Sequence, residues 1–446
     1  MSGFPNGFVW GAASAAYQVE GAVLEGGRGV SVWDTFTHTP GRTADGSTGD
    51  VACDHYHRAA LDVTLLRELG VDAYRLSVAW PRVQPQGRGR VNVPGLAFYD
   101  RLLDELLDSG VQPWVTLHHW DLPQALEDAG GWLNRDTAFR FEEYAFVVGE
   151  RLADRAAAFM TLSEPGEVML RGYGLGTHAP GRSLGLGAFP AAHHQLLGHG
   201  LAARALREAG ARQVGIVNGF APAWPASDRE ADVQAAARWD ALRNHLFTDP
   251  LLRGTYPAAA LDLLAERAPA LLEAVRPGDL GVMAAPLEVL GVTYEQPAWV
   301  RAAPGQPFGV EVGPVPGRER TTGGAAVVPE GLTALLTGLS ARYGESCPPL
   351  AVTLPGSAQP DVPGPDGRVR DAGRIRFLEG HLEATLEAVW QGAPVGAWFV
   401  EGLLDHFAWA QGYSVRSGLV HVDFATQERT PKDSYRWWQA WLRAAH

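Results

Sequence analysis

Three carboxylates hold the positions in this chain best placed for chemistry. Glu164 and Glu401 each end a short apolar run, and Glu295 follows a run that ends at Tyr294. If such runs are the strands of a parallel barrel, their last residues reach the face where active sites form. A protonated and an ionised carboxylate held there, each set by its surroundings, would equip the chain for acid–base work. Fifteen tryptophans add aromatic faces of the kind that stack on the apolar C–H faces of sugars, although large enzymes also bury many aromatics. Two cysteines, Cys53 and Cys347, are too few for a disulfide framework or a zinc site. No metal or cofactor is expected.

The elements that would position these groups follow one pattern. Short apolar runs are expected to end at Tyr17, Trp80, Trp120, Glu164, Asn218, Tyr294, Thr353 and Glu401. Amphipathic stretches follow, the clearest at Tyr99–Leu107, Thr137–Ala153, Pro190–Ala209, Gly331–Tyr343 and Arg374–Trp390. Eight strand–helix units in series predict an α/β fold, a (β/α)8 TIM barrel forming a single domain over residues 1–446. The Gly- and Pro-rich stretches Ala302–Gly324 and Gly356–Asp371 follow the sixth and seventh strands and read as loops at the rim of the barrel mouth.

The bulk properties narrow the partner. The formal net charge is −13, which argues against nucleic acid or an anionic membrane surface. No apolar run approaches the length of a membrane span, and the opening residues do not read as a secretory signal. The expected setting is cytoplasmic, and the expected partner is a small molecule.

Long motifs at the strand ends carry a resemblance. Phe8 to Gly21 reads FVWGAASAAYQVEG, Tyr74 to Arg82 reads YRLSVAWPR, Thr116 to Pro123 reads TLHHWDLP, and Thr161 to Pro165 reads TLSEP. Gly412-Tyr413-Ser414 and Gly418 to Asp423, GLVHVD, close the series. Over essentially the whole chain these resemble glycoside hydrolase family 1, the retaining β-glycosidases. That resemblance implies two carboxylates about 5–5.5 Å apart on either side of a glycosidic bond, with Glu164 as the acid/base. Gln18, His119, Trp120 and Trp409 match residues that hold the sugar, so the implied partner is a glycoside or sugar derivative.

The resemblance also shows departures. Where the family places Ile-Thr-Glu-Asn-Gly, with its nucleophile, this chain has Val352-Thr353-Leu354-Pro355-Gly356, so Leu354 stands where the nucleophile would be. Ser163 replaces the Asn before the acid, and Thr293-Tyr294-Glu295 replaces Asn-x-Tyr; Arg75, Ser163, Tyr294 and Glu401 are expected to join the four matched residues in binding substrate. Glu401 and Gly166 replace tryptophans, Glu167 follows the latter, and Ala408 replaces a Glu that clamps outer hydroxyls. Arg75, which pairs with the nucleophile in the family, is retained and needs a new anion, because a buried partner left unpaired costs roughly 3–5 kcal/mol. Glu295 is the first candidate for that anion, with Glu401 or an anionic ligand as alternatives. The favoured reading is glycoside chemistry by Glu164 and a relocated carboxylate, Glu295 or Glu401. A sugar-binding protein without turnover is the alternative. An ordinary retaining β-glucosidase would require the seventh strand to be aligned differently.

Overall fold

The computed structural model describes residues 3–445, the side chain of Pro355 excepted. Eight parallel strands close into a barrel: β1 (Val9–Ala13), β2 (Ala73–Ser77), β3 (Gln112–His118), β4 (Ala158–Ser163), β5 (Val214–Phe220), β6 (Val289–Tyr294), β7 (Leu350–Pro355) and β8 (Val395–Glu401). Strands β8 and β1 pair and seal the ring. The expected eight units are therefore present. The first three strands stop two to four residues before their expected ends, because Tyr17, Trp80 and Trp120 already belong to the loops and short helices that build the mouth.

Side chains divide between the two faces of the barrel wall with the period of two that a strand imposes. Ala13, Ala73, Trp114, Met160, Val217, Val289, Ala351 and Phe399 fill the interior as one apolar plug. A Cβ on Gly11 would collide with the Phe399 ring, so the missing side chain there makes room for the largest residue of the plug. The alternate residues Leu290, Val292, Leu350, Val352, Trp398 and Val400 belong to the second, larger core between strands and helices.

The helices of that outer layer include α1 (Asp136–Leu152), α2 (Phe189–Glu208), α3 (Glu230–Arg243), α4 (Pro329–Tyr343), α5 (Ala372–Trp390) and α6 (Asp433–Ala445). The five amphipathic stretches all fall on helices, within a few residues of their ends except at Tyr99–Leu107, where the helix begins earlier, at Val93. Part of the rim loop after β6 is not irregular. Ala298–Ala302 and Val310–Pro314 pair antiparallel, and Ala223–Pro225 joins them in a three-stranded sheet.

A fully buried ion network ties the loops after β7 and β8 together. Lys432 Nζ donates to Asp361 at 2.5 Å and to Asp405 at 2.6 Å, while Arg374 pairs with Asp361 at 2.6 Å and with Asp371. Arg374 also donates to the carbonyl oxygen of Ser357, which fixes the loop that leaves the end of β7. Among the described residues no helix is long and apolar enough to cross a membrane.

Candidate active site

The C-terminal ends of the strands open into a cavity of about 290 Å³. Glu164 stands where β4 meets the turn that follows it. Its backbone is left-handed, at φ 51° and ψ 58°, a conformation that costs a non-glycine residue about 1–3 kcal/mol. Its N–H donates to the Val217 carbonyl at 2.7 Å, which holds the turn against β5. The carboxyl lies over that strand, since a Cβ on Gly219 would sit 2.6 Å from Glu164 Oε1. Burial, then the charges of Glu401 and Glu167, push the Glu164 carboxyl up to about 8. It is therefore protonated at neutral pH.

The wall beside Glu164 is densely charged. Glu167 accepts from Arg243 Nη2 at 2.5 Å and from Arg171 Nε at 2.5 Å. Burial works against ionisation of Glu167, but Arg243 and Arg171 outweigh it and hold the carboxyl below its ordinary range. The space opened at Gly166 is filled, because a Cβ there would lie 3.1 Å from Arg243 Nη1. Neither arginine carries a family motif. The sequence shows the small residue at 166 and the acid at 167, but neither names an arginine as its partner.

Glu295 lines the same cavity. Glu295 is exposed at the mouth, although the protein around its carboxyl still raises its pKa, with Arg171 opposing the rise. Arg171, Glu167 and Arg243 are the charges that act on it. Arg75 is not among them, which corrects the expected Glu295–Arg75 pairing. Glu295 lies one residue past the end of β6, at the exposed mouth of the cavity.

Arg75 instead responds to Glu401 first and Glu164 second, both opposing the burial that lowers its pKa. The register accounts for this. Ala13 of β1 pairs with Arg75 on one side and with Glu401 on the other. Two strand spacings of about 4.8 Å separate their Cα atoms by about 10 Å, a gap the two long side chains can share. Arg75 is 3% exposed, and its Nε and Nη1 have no hydrogen-bond partner among the described residues.

Leu354 is fully buried. It pairs with Val400 and joins Val352 and Val400 in the barrel–helix core, so it packs on the outer face of the wall. Tyr294 is placed the same way. It is fully buried, packs in the same core and donates its hydroxyl to the Val328 carbonyl at 2.6 Å. This corrects its expected role in binding substrate. Ser163 is buried too, and its carbonyl accepts from Trp120 Nε1 at 3.0 Å. Arg75, Ser163, Tyr294 and Leu354 are not among the described residues lining the cavity, whereas Gln18, His119, Trp120, Glu164, Glu295, Glu401 and Trp409 are.

An aromatic floor completes the site. The Trp120 and Trp409 rings are 4.6 Å apart at 32°, and Trp409 meets Trp33 at 4.6 Å. Gln18 is anchored through Nε2 to His406 Nδ1 at 3.0 Å and to the Phe407 carbonyl at 3.1 Å. Burial and the nearby Arg75 charge keep His119 neutral, far below its ordinary pKa. Among the described residues no group of three or more His, Cys, Asp or Glu side chains is arranged to hold a metal ion. The floor therefore offers neutral hydrogen-bonding groups and ring faces, and the walls offer carboxyls in different states of protonation.

A barrel of this topology, with an acid poised at the end of its fourth strand, defines a glycosidase-like class. The family model for glycosyl hydrolase family 1 matches residues 1–445, and the chain belongs to that family. It is 47% identical over 451 residues to thermostable beta-glucosidase B of Thermobispora bispora, covering 99% of this chain and 90% of that protein. It is 40% identical over 440 residues to beta-glucosidase A of Acetivibrio thermocellus, covering 98% and 97% of the two chains. The psychrophilic beta-glucosidase of Micrococcus antarcticus superposes with a TM-score of 0.95 at 43% identity, covering 100% of this chain and 98% of that one. The Thermotoga maritima beta-glucosidase in complex with deoxynojirimycin gives 0.94 at 39% identity, with coverage of 100% and 99%.

Proposed function

We propose that this chain cleaves a β-glycosidic bond, with Glu164 as proton donor and Glu401, not Glu295, as the second carboxylate. The observation that carries the reading is the position of Glu401. It ends β8 in the same register row as Arg75 and acts electrostatically on both Arg75 and Glu164. Protonated Glu164 gives its proton to the glycosidic oxygen as the C1–O bond breaks. Glu401, beside the Arg75 cation, supplies the negative charge that the oxocarbenium-like centre needs. The family relatives carry β-glucosidase names, and one is named as a bifunctional beta-D-glucosidase/beta-D-fucosidase. β-Glucosides and β-fucosides are therefore the substrates to assay first. Ala408, where a hydroxyl clamp would stand, supports a preference for a sugar altered at its outer positions.

The test is turnover of nitrophenyl β-glucoside and β-fucoside by the wild type and by Glu401→Gln, with the product anomer followed by NMR. Retention would assign direct attack by Glu401 on C1, and inversion would assign activation of a water. Undiminished turnover in Glu401→Gln would overturn the assignment. A second reading, capture of a glycoside without cleavage, is supported by the apolar packing of Leu354. It predicts thermal stabilisation by glycosides with no turnover of any of them.

A further inference from the structure

We propose that Arg243 is a positioning residue for Glu164: locked by Glu167 in the space beside Gly166 and Gly219, its guanidinium stabilises the carboxylate that Glu164 becomes once its proton is gone. The inference rests on the reading of Glu164 as the acid. Three close approaches support it. Arg243 Nη2 is 2.5 Å from Glu167 Oε1. Arg243 Nη1 lies 3.1 Å from where a Gly166 Cβ would be. A Cβ on Gly219 would lie 2.6 Å from Glu164 Oε1 and 3.4 Å from Arg243 Nη2, so two missing side chains leave the acid and the guanidinium side by side. Arg243 ends α3, after β5, whereas Glu164 and Glu167 follow β4. Two separate loops are thereby joined at the acid.

The chemistry calls for such a group. In cleavage, Glu164 O–H gives its proton to the glycosidic oxygen, which keeps the electron pair of the broken C1–O bond and leaves as the alcohol. Glu164 is then a carboxylate; with retention it recovers a proton from the water whose oxygen bonds to C1, and with inversion that proton goes to Glu401 and Glu164 is reprotonated from solvent. In the deprotonated stage Glu164 faces Glu401 on β8 and Glu167 on its own loop, both repelling. Arg75 on β2, Arg171 on the loop after β4 and Arg243 on α3 attract it. Of these cations, Arg243 lowers Glu164 more strongly than Arg75 does, and its Nη2 lies 3.4 Å from where a Gly219 Cβ would be.

The decisive measurement is direct titration of Glu164 by 13C NMR of protein labelled at the Glu side-chain carboxyl, assigned by loss of its signal in Glu164→Gln. It requires no turnover. Arg243→Met should raise the Glu164 pKa by about one unit or more, and Glu167→Gln, whose amide oxygen can still accept from Arg243 Nη2 and hold it in place, should lower it, since an opposite or like charge at this range moves a carboxyl by that order. Arg243→Lys keeps the charge and should stay within about half a unit of wild type. In an active enzyme the alkaline limb of kcat/KM should move in the same directions. Shifts of the same sign in Arg243→Met and Glu167→Gln, or no shift in either, would overturn the proposal. If Arg243→Met does not fold, Arg243→Gln takes its place, with the same rise expected and no rise overturning the proposal. Absence of turnover on every glycoside, with the opposite-signed titrations intact, would sink the glycosidase reading and leave this coupling standing.

Discussion

The two walls of the cleft have been built on opposite plans. On the β4–β5 side every charge has a partner: Glu167 bridges Arg171 and Arg243, and the bridge stands beside Glu164. On the β7–β8 side Leu354 packs outward and Ala408 lines the cavity. Glu401 is the charged residue that lines the cavity on that side, and Arg75, two strands away on β2, has two nitrogens without a partner among the described residues. One wall tunes an acid by compensation. The other concentrates field on a single carboxylate, because an uncompensated arginine in a low-dielectric site acts strongly on the nearest anion. The acid side is thus set by several charges together, whereas the opposite side depends on one residue.

The largest effects should come from removing the principal carboxylate of each wall. Glu401→Gln should lower kcat about equally for good and poor leaving groups. Glu164→Gln should lower it by about 10²–10⁴ for alkyl glycosides, the range for lost acid–base catalysis, and by much less for nitrophenyl glycosides, whose leaving group needs little protonation. Steady-state rates on the two substrate types check this asymmetry. Equal losses across leaving groups in Glu164→Gln would remove the distinction between the walls.

Leu354→Glu should fail to turn the β7–β8 wall into a second charged one. The new carboxyl would enter the barrel–helix core beside Val352 and Val400, so stability should fall by about 3 kcal/mol or more, as for other buried unpaired charges. Urea unfolding measures the loss, and a rise in turnover would show that residue 354 reaches the cleft.

A smaller effect is expected at Gly219, on the compensated wall. Gly219→Ala places a methyl group 2.6 Å from Glu164 Oε1. The displaced acid should lose up to about 10² in kcat, the scale of a 1 Å misplacement, with little change in KM. The mildest test is pH. Because the Glu164 pKa is raised to about 8, the acid is present below that pH and lost above it. The alkaline limb of kcat/KM should fall near pH 8 and should vanish in Glu164→Gln.

The barrel was legible because eight apolar runs, each followed by an amphipathic stretch, leave few other solutions. The family motifs at the strand ends also placed Gln18, His119, Trp120, Glu164 and Trp409, all of which line the cavity. What could not be read was orientation. Tyr294 and Leu354 stand near strand ends, yet a strand turns alternate residues to opposite faces, and both pack toward the helices. Glu295 shares the inward parity of Val289 and Thr293, but it lies past the strand end and is exposed at the mouth. Arg243 was invisible for another reason. It comes from the far end of a helix 79 residues beyond Glu164 in sequence, and no local pattern links the two.

The left-handed backbone at Glu164 has a consequence for how this chain can change over generations. Glycine adopts that conformation without strain, and a glutamate codon becomes a glycine codon by one base change. Position 164 is thus a place where random mutation offers added stability in exchange for the proton donor. A lineage with no use for the proton would have that exit open at every replication, and selection for turnover is the force that would close it.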